Sequence, residues 1–203
     1  MDMEFRGVEP DIDFETQDSY ELTVEVTDAA GASYEETFTV NVNDLNEAPV
    51  DLALDGNSVA EGDAGAVVGT LSVVDPDAGD TVTYRVLDDR FEVVDGELRV
   101  AEGVSLDHEE AATIQVEVTA TDAEGLATSE TFEVQVQDVN EAPSDLALDG
   151  NSVAENAAGA SVGTLSVADP DAGDSVSYTV SDDRFEVVDG ELRVAEGVSL
   201  DHE

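Results

Sequence analysis

The chain has 203 residues, enough for one or two domains. It carries 51 acidic and 6 basic residues, and a formal net charge of −45 argues against nucleic acid and anionic membranes as partners. There is no cysteine, which excludes disulfides and thiol chemistry. No apolar run is long enough to span a membrane, and we expect any export signal to lie elsewhere. Specific calcium sites and an acidic surface adapted to high salt both explain the charge, and the two can coexist.

The sequence repeats itself with a shift of 94 residues. Residues 46–109 and 140–203 are identical at 55 of 64 aligned positions. The start of the chain follows the same shift without gaps. We therefore expect the C-terminal part of a repeat at 1–45 (the first segment), a complete repeat at 46–139, and the N-terminal part of a repeat at 140–203 (the third segment). Residues 16–45 correspond to 110–139, the portion that the third segment lacks.

The local pattern predicts β-strands along the whole chain. Apolar and polar residues alternate over 20–26 and 132–137, which is typical of strands with one solvated face. Strand-like segments at 91–94 and 97–100 flank Asp95-Gly96, which predicts a hairpin with a two-residue turn. Further short strands are predicted at 50–54, 66–74, 81–87 and 112–121. About seven short strands in a repeat of this length favour an all-β, immunoglobulin-like Greek-key sandwich, repeated in tandem.

Acidic motifs recur in a fixed order along each repeat. In the complete repeat they are an early glutamate (Glu61), a D-x-D (75–77), an L-D-x-E (106–109), a turn aspartate (Asp122) and the junction D-V-N-E-A-P (138–143). Taken singly, each motif is more often a solvated turn than a ligand. Carboxylate and amide oxygens crowded on a connector are nevertheless the ligands that calcium needs. The junctions 44–49 and 138–143 are therefore candidate calcium-bound joints.

This order of motifs resembles the cadherin repeat, especially the cadherin-like tandem repeats of bacterial secreted and surface adhesins such as rhizobial adhering proteins. The resemblance covers nearly the whole chain. It implies sandwiches stacked end to end, with Ca²⁺ at each junction. It also implies an extracellular or cell-surface location and, as partners, neighbouring repeats of the same or a longer chain.

Carried over residue by residue, the resemblance implies two calcium sites. The first would use Asp13, Glu15, Asp44, Asn46, Asp75, Asp77 and Asp122. The second would use Glu61, Asp107, Glu109, Asp138, Asn140, Asp169 and Asp171. Glu47 and Glu141 are additional candidates. We expect both sites to be incomplete here, because the first site's early glutamate would precede residue 1 and the second site's turn aspartate would follow residue 203.

The chain also departs from animal cadherins in two respects. Its linker is one residue shorter than their D-x-N-D-N-x-P, which leaves the number of ions per junction open. It has no tryptophan, so the tryptophan exchange of animal adhesive cadherins is not supported. Together, the motifs predict calcium-stiffened joints, and the resemblance implies that they belong to the stalk of a secreted or cell-surface adhesin.

An enzyme and a lectin are the two alternatives to a stalk. Asp107 and Glu109 form a candidate glycosidase pair, but a pair repeated at every junction is better explained as structure, and we expect no enzyme activity. A calcium-dependent lectin that binds an extracellular acidic polysaccharide is the main alternative to the stalk, with a polysaccharide or another cell-surface adhesin as partner. Its candidate aromatic platform is Tyr84, Tyr178, Phe91 and Phe185, although their positions in the alternation favour core packing.

Overall fold

A computed structural model describes residues 12–201, which form fourteen strands and no helix. In this part of the chain there is accordingly no helix with the length and apolar character needed to cross a membrane. The predicted all-β class is confirmed. The strands are β1 (Ser19–Thr27), β2 (Ser33–Asn41), β3 (Val50–Leu54), β4 (Ser58–Ala60), β5 (Val67–Val74), β6 (Thr83–Val86), β7 (Phe91–Val94), β8 (Glu97–Val100), β9 (Thr113–Thr121), β10 (Ala127–Gln137), β11 (Ser144–Leu148), β12 (Ser161–Ala168), β13 (Phe185–Val188) and β14 (Glu191–Val194).

The chain divides into two compact units whose boundaries do not follow the sequence repeats. The first unit contains the described residues 12–59, 63–106 and 113–136. The second contains 60–62, 107–112 and 137–201. The second unit therefore includes Glu61 and residues 107–112, which belong to the complete repeat in sequence. The division into 1–45, 46–139 and 140–203 stays a prediction.

The complete repeat forms a sandwich of two four-stranded sheets, with strand orders β3-β5-β8-β7 and β4-β10-β9-β6. Alternate side chains of the central strands point into the core, because successive residues of a strand face opposite sides. Leu98 of β8, Val116 and Val118 of β9, and Val134 of β10 are all completely buried. Eight strands thus form the core, one more than the sequence pattern predicts.

The predicted hairpin is confirmed at Asp95-Gly96, between β7 and β8. The pairing runs from Phe91 opposite Val100 to Val94 opposite Glu97. Both turn residues have positive φ, 52° for Asp95 and 80° for Gly96. A two-residue turn with this conformation matches the twist of the flanking strands, and aspartate followed by glycine adopts it readily.

The flanking segments each form a single sheet within the described residues. The first segment contains the two-stranded sheet β1-β2, and the third contains the sheet β11-β12-β14-β13. The predicted one-sided solvation of residues 20–26 is wrong, because Leu22, Val24 and Val26 on the apolar face of β1 are about half exposed or more. Alternation identified the strand correctly, but burial of its apolar face requires a second sheet.

We expect Gly69→Ala to destabilise the complete repeat, because β5 passes the backbone of Gly56 at this point. A Cβ atom on Gly69 would lie 2.5 Å from Gly56 N and 2.8 Å from Gly56 Cα. Forcing a methyl group into a packed region costs about 1–3 kcal/mol, and backbone neighbours have little room to move. Urea unfolding measures the effect, with Thr70→Ala as the control at an exposed position of the same strand. Equal unfolding midpoints for the two variants would contradict the close approach.

Candidate metal centres

The first acidic site is defined here as residues 13–15, 44–47, 75–80 and Asp122, all in the first unit. Its segments are loops that leave strand ends: 44–47 follows β2, 75–80 follows β5, and Asp122 follows β9. Charged and amide side chains are found here because connections between strands run over the protein surface, whereas the strands themselves supply the apolar residues of the sheets.

Two groups of carboxylates converge in the first acidic site. Within each group, one oxygen from every member lies within 4.8 Å of the others. The first group is Glu15, Asp44, Glu47 and Asp77, and the second is Asp75, Asp80 and Asp122. Five of the seven predicted ligands of this site are therefore brought into carboxylate groups.

Asn46, the sixth predicted ligand, is tied to these groups by hydrogen bonds. Its Nδ2 donates to Asp122 Oδ2 at 2.8 Å. The next residue anchors the linker to the D-x-D loop, because Glu47 N donates to Asp77 Oδ2 at 2.9 Å. Asp122 is buried, which raises the pKa of its carboxyl, but hydrogen bonds from Asn46 and from the backbone of 124–126 outweigh this and lower the pKa below its usual value.

Asp13, the seventh predicted ligand, lies in neither carboxylate group. Its side chain stabilises the turn that precedes β1, accepting hydrogen bonds from Thr16 Oγ1 at 2.7 Å and Glu15 N at 3.1 Å. The Thr16 hydrogen bond is the main cause of a lowered pKa for this carboxyl. Glu47 shows the opposite effect, since partial desolvation and the charges of Asp77 and Asp44 raise the pKa of its carboxyl.

The second acidic site is defined here as Glu61 with residues 107–109, 138–141 and 169–171, all in the second unit. Glu61 is its central buried residue, with only 7% of its surface exposed. Its two carboxylate oxygens accept one backbone N–H each, from Val139 and from His108, both at 2.7 Å. One buried carboxylate thereby holds the L-D-x-E loop and the linker together.

Further carboxylates surround Glu61. Oxygens of Glu61, Asp107 and Glu109 lie within 4.8 Å of one another, and Glu109 also joins a group with His108 and Asp138. Partial desolvation, followed by the charge of Glu61, raises the pKa of Glu109. Desolvation and the Asp171 carboxyl raise the pKa of Asp138. Placing several ionised carboxylates this close is unfavourable without a cation.

The D-x-D loop of the third segment completes the second acidic site. Asp171, which is 9% exposed, accepts a hydrogen bond from Glu141 N to Oδ2 at 2.8 Å. Its own N–H donates to Asp169 Oδ1 at 3.3 Å. Asn140 Nδ2 donates to Glu141 O at 3.0 Å. Asp169 and Asn140 therefore lie on the same loops as the other predicted ligands, but neither side chain joins a carboxylate group.

Four buried side-chain oxygens have no hydrogen-bond partner within the described residues, and all four belong to these two sites. They are Glu47 Oε2, Asp75 Oδ2, Asp80 Oδ2 and Asp171 Oδ1. Buried carboxylate oxygens are normally hydrogen-bonded, and unpaired ones lose solvation without compensation. Oxygen atoms of this kind, on carboxylates that already lie close together, fit a hard divalent cation such as Ca²⁺.

Two residues of these clusters were not predicted as ligands. Asp80 joins Asp75 and Asp122 in the first acidic site, and His108 joins Glu109 and Asp138 in the second. The signal for Asp80 is the acidic spacing D-P-D-A-G-D of residues 75–80, which recurs at 169–174. His108 gave no such signal, because the first segment has Phe14 at the equivalent position.

The chain is similar to cadherins in sequence and in structure, although no protein-family model matches it. Protocadherin gamma-A4 of Pan troglodytes is 29% identical over 192 residues, covering 87% of this chain and 21% of the relative. The solved extracellular cadherin domains 1–4 of protocadherin gamma B7 align with a TM-score of 0.67 and 21% identity, over 94% of this chain and 51% of theirs. Human CDH23 EC21-23 aligns with a TM-score of 0.61 and 24% identity, over 96% of this chain and 69% of that one.

These similarities confirm the broader part of the resemblance drawn from the motifs. The chain spans about a fifth of the length of the curated protocadherins that it matches. The matched proteins come from animals, so the link to bacterial and rhizobial adhesins stays a prediction. The expected extracellular or cell-surface location agrees with the matched structures, which are extracellular cadherin domains. In fold and in sequence, the chain is therefore similar to cadherin domains and is an all-β, cadherin-like protein.

Proposed function

We propose that the chain is a calcium-binding segment of a secreted or cell-surface adhesin, in which Ca²⁺ stiffens the joints between successive cadherin-like repeats. The unpartnered buried oxygens are the observation that carries this proposal. In the first acidic site, Glu47 belongs to a carboxylate group to which the first segment and the complete repeat both contribute. In the second, Asp171 of the third segment accepts a hydrogen bond from the linker residue Glu141 through its other oxygen. A cation held there would link the two repeats directly.

Electrostatics gives the proposed joint its mechanical effect. Without a cation, the carboxylates of each site repel one another, and the raised pKa values of Glu47, Glu109 and Asp138 reflect the cost of ionising them. Bound Ca²⁺ would supply the positive charge that balances this repulsion. The linker would then be fixed by both ion contacts and hydrogen bonds, and the stalk would resist bending.

The residues proposed to hold the ions are those that the structure brings together. In the first acidic site they are Glu15, Asp44, Asn46, Glu47, Asp75, Asp77, Asp80 and Asp122. In the second they are Glu61, Asp107, Glu109, Asp138 and Asp171. Asp13, Asn140 and Asp169 are proposed as outer members that orient these ligands, because their polar atoms already bind nearby loop groups.

The stalk is favoured over the lectin by the packing of the candidate aromatic platform. Phe91 is 4% exposed and belongs to the core of the complete repeat. Tyr84, Tyr178 and Phe185 are half-buried. A sugar-binding platform needs an aromatic face open to solvent, and these side chains pack against the protein instead. Glycan arrays with and without calcium would test polysaccharide binding directly.

Asp171→Asn is expected to weaken calcium binding at the second acidic site by about tenfold or more, because an amide nitrogen replaces a carboxylate oxygen of a divalent ligand set. Titration calorimetry of the full chain in physiological salt measures the effect. We expect dissociation constants on the order of 10⁻⁴–10⁻³ M, as in other extracellular calcium modules. Asp183→Asn, at an exposed position of the same segment, is the matched control.

Two comparisons separate specific binding from general screening of the −45 charge. Magnesium should bind poorly, because it demands a tighter octahedral shell than calcium. Sodium chloride at about 0.5 M, which screens surface charge strongly, should protect the linkers from proteolysis less than millimolar calcium does. Equal protection by the two salts, or equal calcium affinity of the two variants, would rule out specific joints.

Glu61→Gln is expected to break one of the two hydrogen bonds that the Glu61 carboxylate accepts from backbone N–H groups. A glutamine side chain has only one acceptor oxygen, so the His108 or the Val139 amide loses its partner. Hydrogen exchange at these amides should accelerate by about tenfold, the cost of roughly one hydrogen bond. Glu110→Gln, an exposed neighbour, serves as control, and unchanged exchange at both amides would contradict the anchoring role.

A further inference from the structure

Residues 46–109 and 140–203, which are otherwise nearly identical, differ along one face of the segment that contains β6. Four of their nine differences fall on alternate positions of residues 81–87. The complete repeat has Thr81, Thr83, Arg85 and Leu87 where the third segment has Ser175, Ser177, Thr179 and Ser181. These four residues of the complete repeat are exposed, and the half-buried residues between them are the same in both copies. Because successive residues of a strand face opposite sides, the changes are confined to the outward face.

Leu87 is the apolar residue of this outward face. It is 63% exposed, and the third segment has a serine at the same position. A single exposed leucine is ordinary on a protein surface. This one, however, lies between two side chains of opposite charge, because Arg85 precedes it by two residues and Asp89 follows it by two. The arrangement therefore combines an apolar centre with a positive and a negative flank.

Arg85 and Asp89 are exposed charges that have no ion-pair or hydrogen-bond partner within residues 12–201. Every other arginine in this part of the chain pairs with a carboxylate two residues earlier: Arg90 with Asp88, Arg99 with Glu97, Arg184 with Asp182 and Arg193 with Glu191. Asp88 is thus already paired, which leaves Asp89 unpaired beside it. In a chain with 51 acidic and 6 basic residues, an arginine without a carboxylate partner is unusual.

We propose that residues 81–89, here called the β6 strip, bind the β6 strip of a second copy of the chain. The strip is self-complementary, because its positive and negative residues lie at equal distances in sequence from Leu87. A two-fold axis at Leu87 brings the two leucines together and places Arg85 of each copy opposite Asp89 of the other. In a two-fold interface the same patch is used by both subunits, so each ion pair forms twice.

Charge complementarity is the reason to choose a second copy as the occupant. An acidic partner would satisfy Arg85 but would place a like charge opposite Asp89, and a basic partner would do the reverse. Only a surface with both charges in the opposite order satisfies both residues, and the strip itself is such a surface. The counterpart in the third segment keeps Asp183 but has neither the arginine nor the leucine, so it does not offer this contact.

The contact is expected to be weak and to depend on side chains. Two chains of net charge −45 repel each other at long range, and interfaces that bury less than about 1,200 Å² are typical of transient complexes. β6 lies at the edge of its sheet. A charged residue on an edge strand discourages backbone pairing with another chain, so we expect no continuous sheet across the dimer.

Charge reversal in the full chain is the sharpest test. Arg85→Asp and Asp89→Arg each place like charges opposite one another, so each should weaken dimerisation by about tenfold or more in sedimentation equilibrium. The double variant Arg85→Asp/Asp89→Arg restores both ion pairs with their direction exchanged and should dimerise like the natural chain. Net charge alone predicts a different order, because Asp89→Arg makes the chain less negative and would then associate best.

The solution conditions separate this contact from the proposed calcium function. All runs contain EDTA, together with about 0.15 M sodium chloride, which limits the range of the general repulsion to about 8 Å. Circular dichroism checks that each variant keeps its strands. Leu87→Ser introduces the residue that the third segment has at this position, so the repeat tolerates it, and it should also weaken dimerisation. Val67→Ser, which likewise copies the third segment but changes the other sheet, should leave dimerisation unchanged.

Disulfide trapping locates the two-fold axis, because the natural sequence has no cysteine. A cysteine on the axis meets the same residue of the second copy, so Leu87→Cys should form disulfide dimers on mild oxidation. Val67→Cys is the control, since Val67 is a 47% exposed apolar residue of the same repeat, and it should cross-link much more slowly.

Three results would each overturn the proposal. The first is a natural chain that stays monomeric up to its highest soluble concentration. The second is a charge-reversed double variant that dimerises no better than the two single variants. The third is equal cross-linking of Leu87→Cys and Val67→Cys. Rescue by the double variant, together with selective trapping at position 87, would support the two-fold contact.

Discussion

Backbone pairing along the edges of β9 and β10 is the interaction on which this cadherin-like sandwich depends. Gln135 N donates to Asn57 O at 2.8 Å, and β6 pairs with β9 from Thr83 to Val86. Where these partners are present, residues 57–60 and 83–86 contribute strands and the core side chains are buried. Where they are absent, the identical residues 151–154 contribute no strand and the counterpart side chains stay half-buried. The N-terminal part of a repeat therefore needs β9 and β10, or their equivalents, to form all its strands. Strand conformation and apolar burial are gained together.

Charge imposes a second constraint, which acts at the ends of the sandwich. The carboxylates of the two acidic sites come from loops that strand geometry brings together. Desolvation and neighbouring charges raise the pKa values of Glu47, Glu109 and Asp138, so ionisation of these three groups is opposed there. A raised folded-state pKa means that ionisation destabilises the fold, so stability without a cation falls as the pH rises through those pKa values. The effect of Asp122 on stability has the opposite pH dependence. Hydrogen bonds lower the pKa of its carboxyl, so its contribution to stability is lost on acidification. The sandwich core is thus stabilised by burial, while its ends need a counter-charge.

Much of the fold follows from local signals in the sequence. The Asp95-Gly96 turn and the alternation in 112–121 are properties of neighbouring residues, and the structure has the hairpin and β9 where these signals place them. The open face of β1 could not be predicted in this way, because the alternation of Leu22, Val24 and Val26 specifies an apolar face but not the sheet that covers it. Within the sites, the recurring acidic motifs together identified every clustered carboxylate of the described residues except Asp80. Asp13 instead stabilises a turn, which its motif does not indicate. The acidic spacing of residues 75–80 is a signal for Asp80, but its grouping with Asp122 depends on how the chain folds.

The two constraints meet at the linkers. Glu47 N and Glu141 N each donate to the second aspartate of the following D-x-D, at 2.9 and 2.8 Å, so this contact forms with or without a completed sandwich. The contact from Asn46 to Asp122 is different, because Asp122 lies on the turn between β9 and β10. Asn140 makes only the local bond to Glu141 O, since no turn of that kind lies in the third segment within the described residues. Each acidic site therefore has one part set by the linker and the D-x-D loop, and another part supplied only when β9 and β10 or their equivalents are in place. If a cation binds at these sites as proposed, its binding and the completion of the sandwich would favour each other, because the same turn aspartate belongs to both.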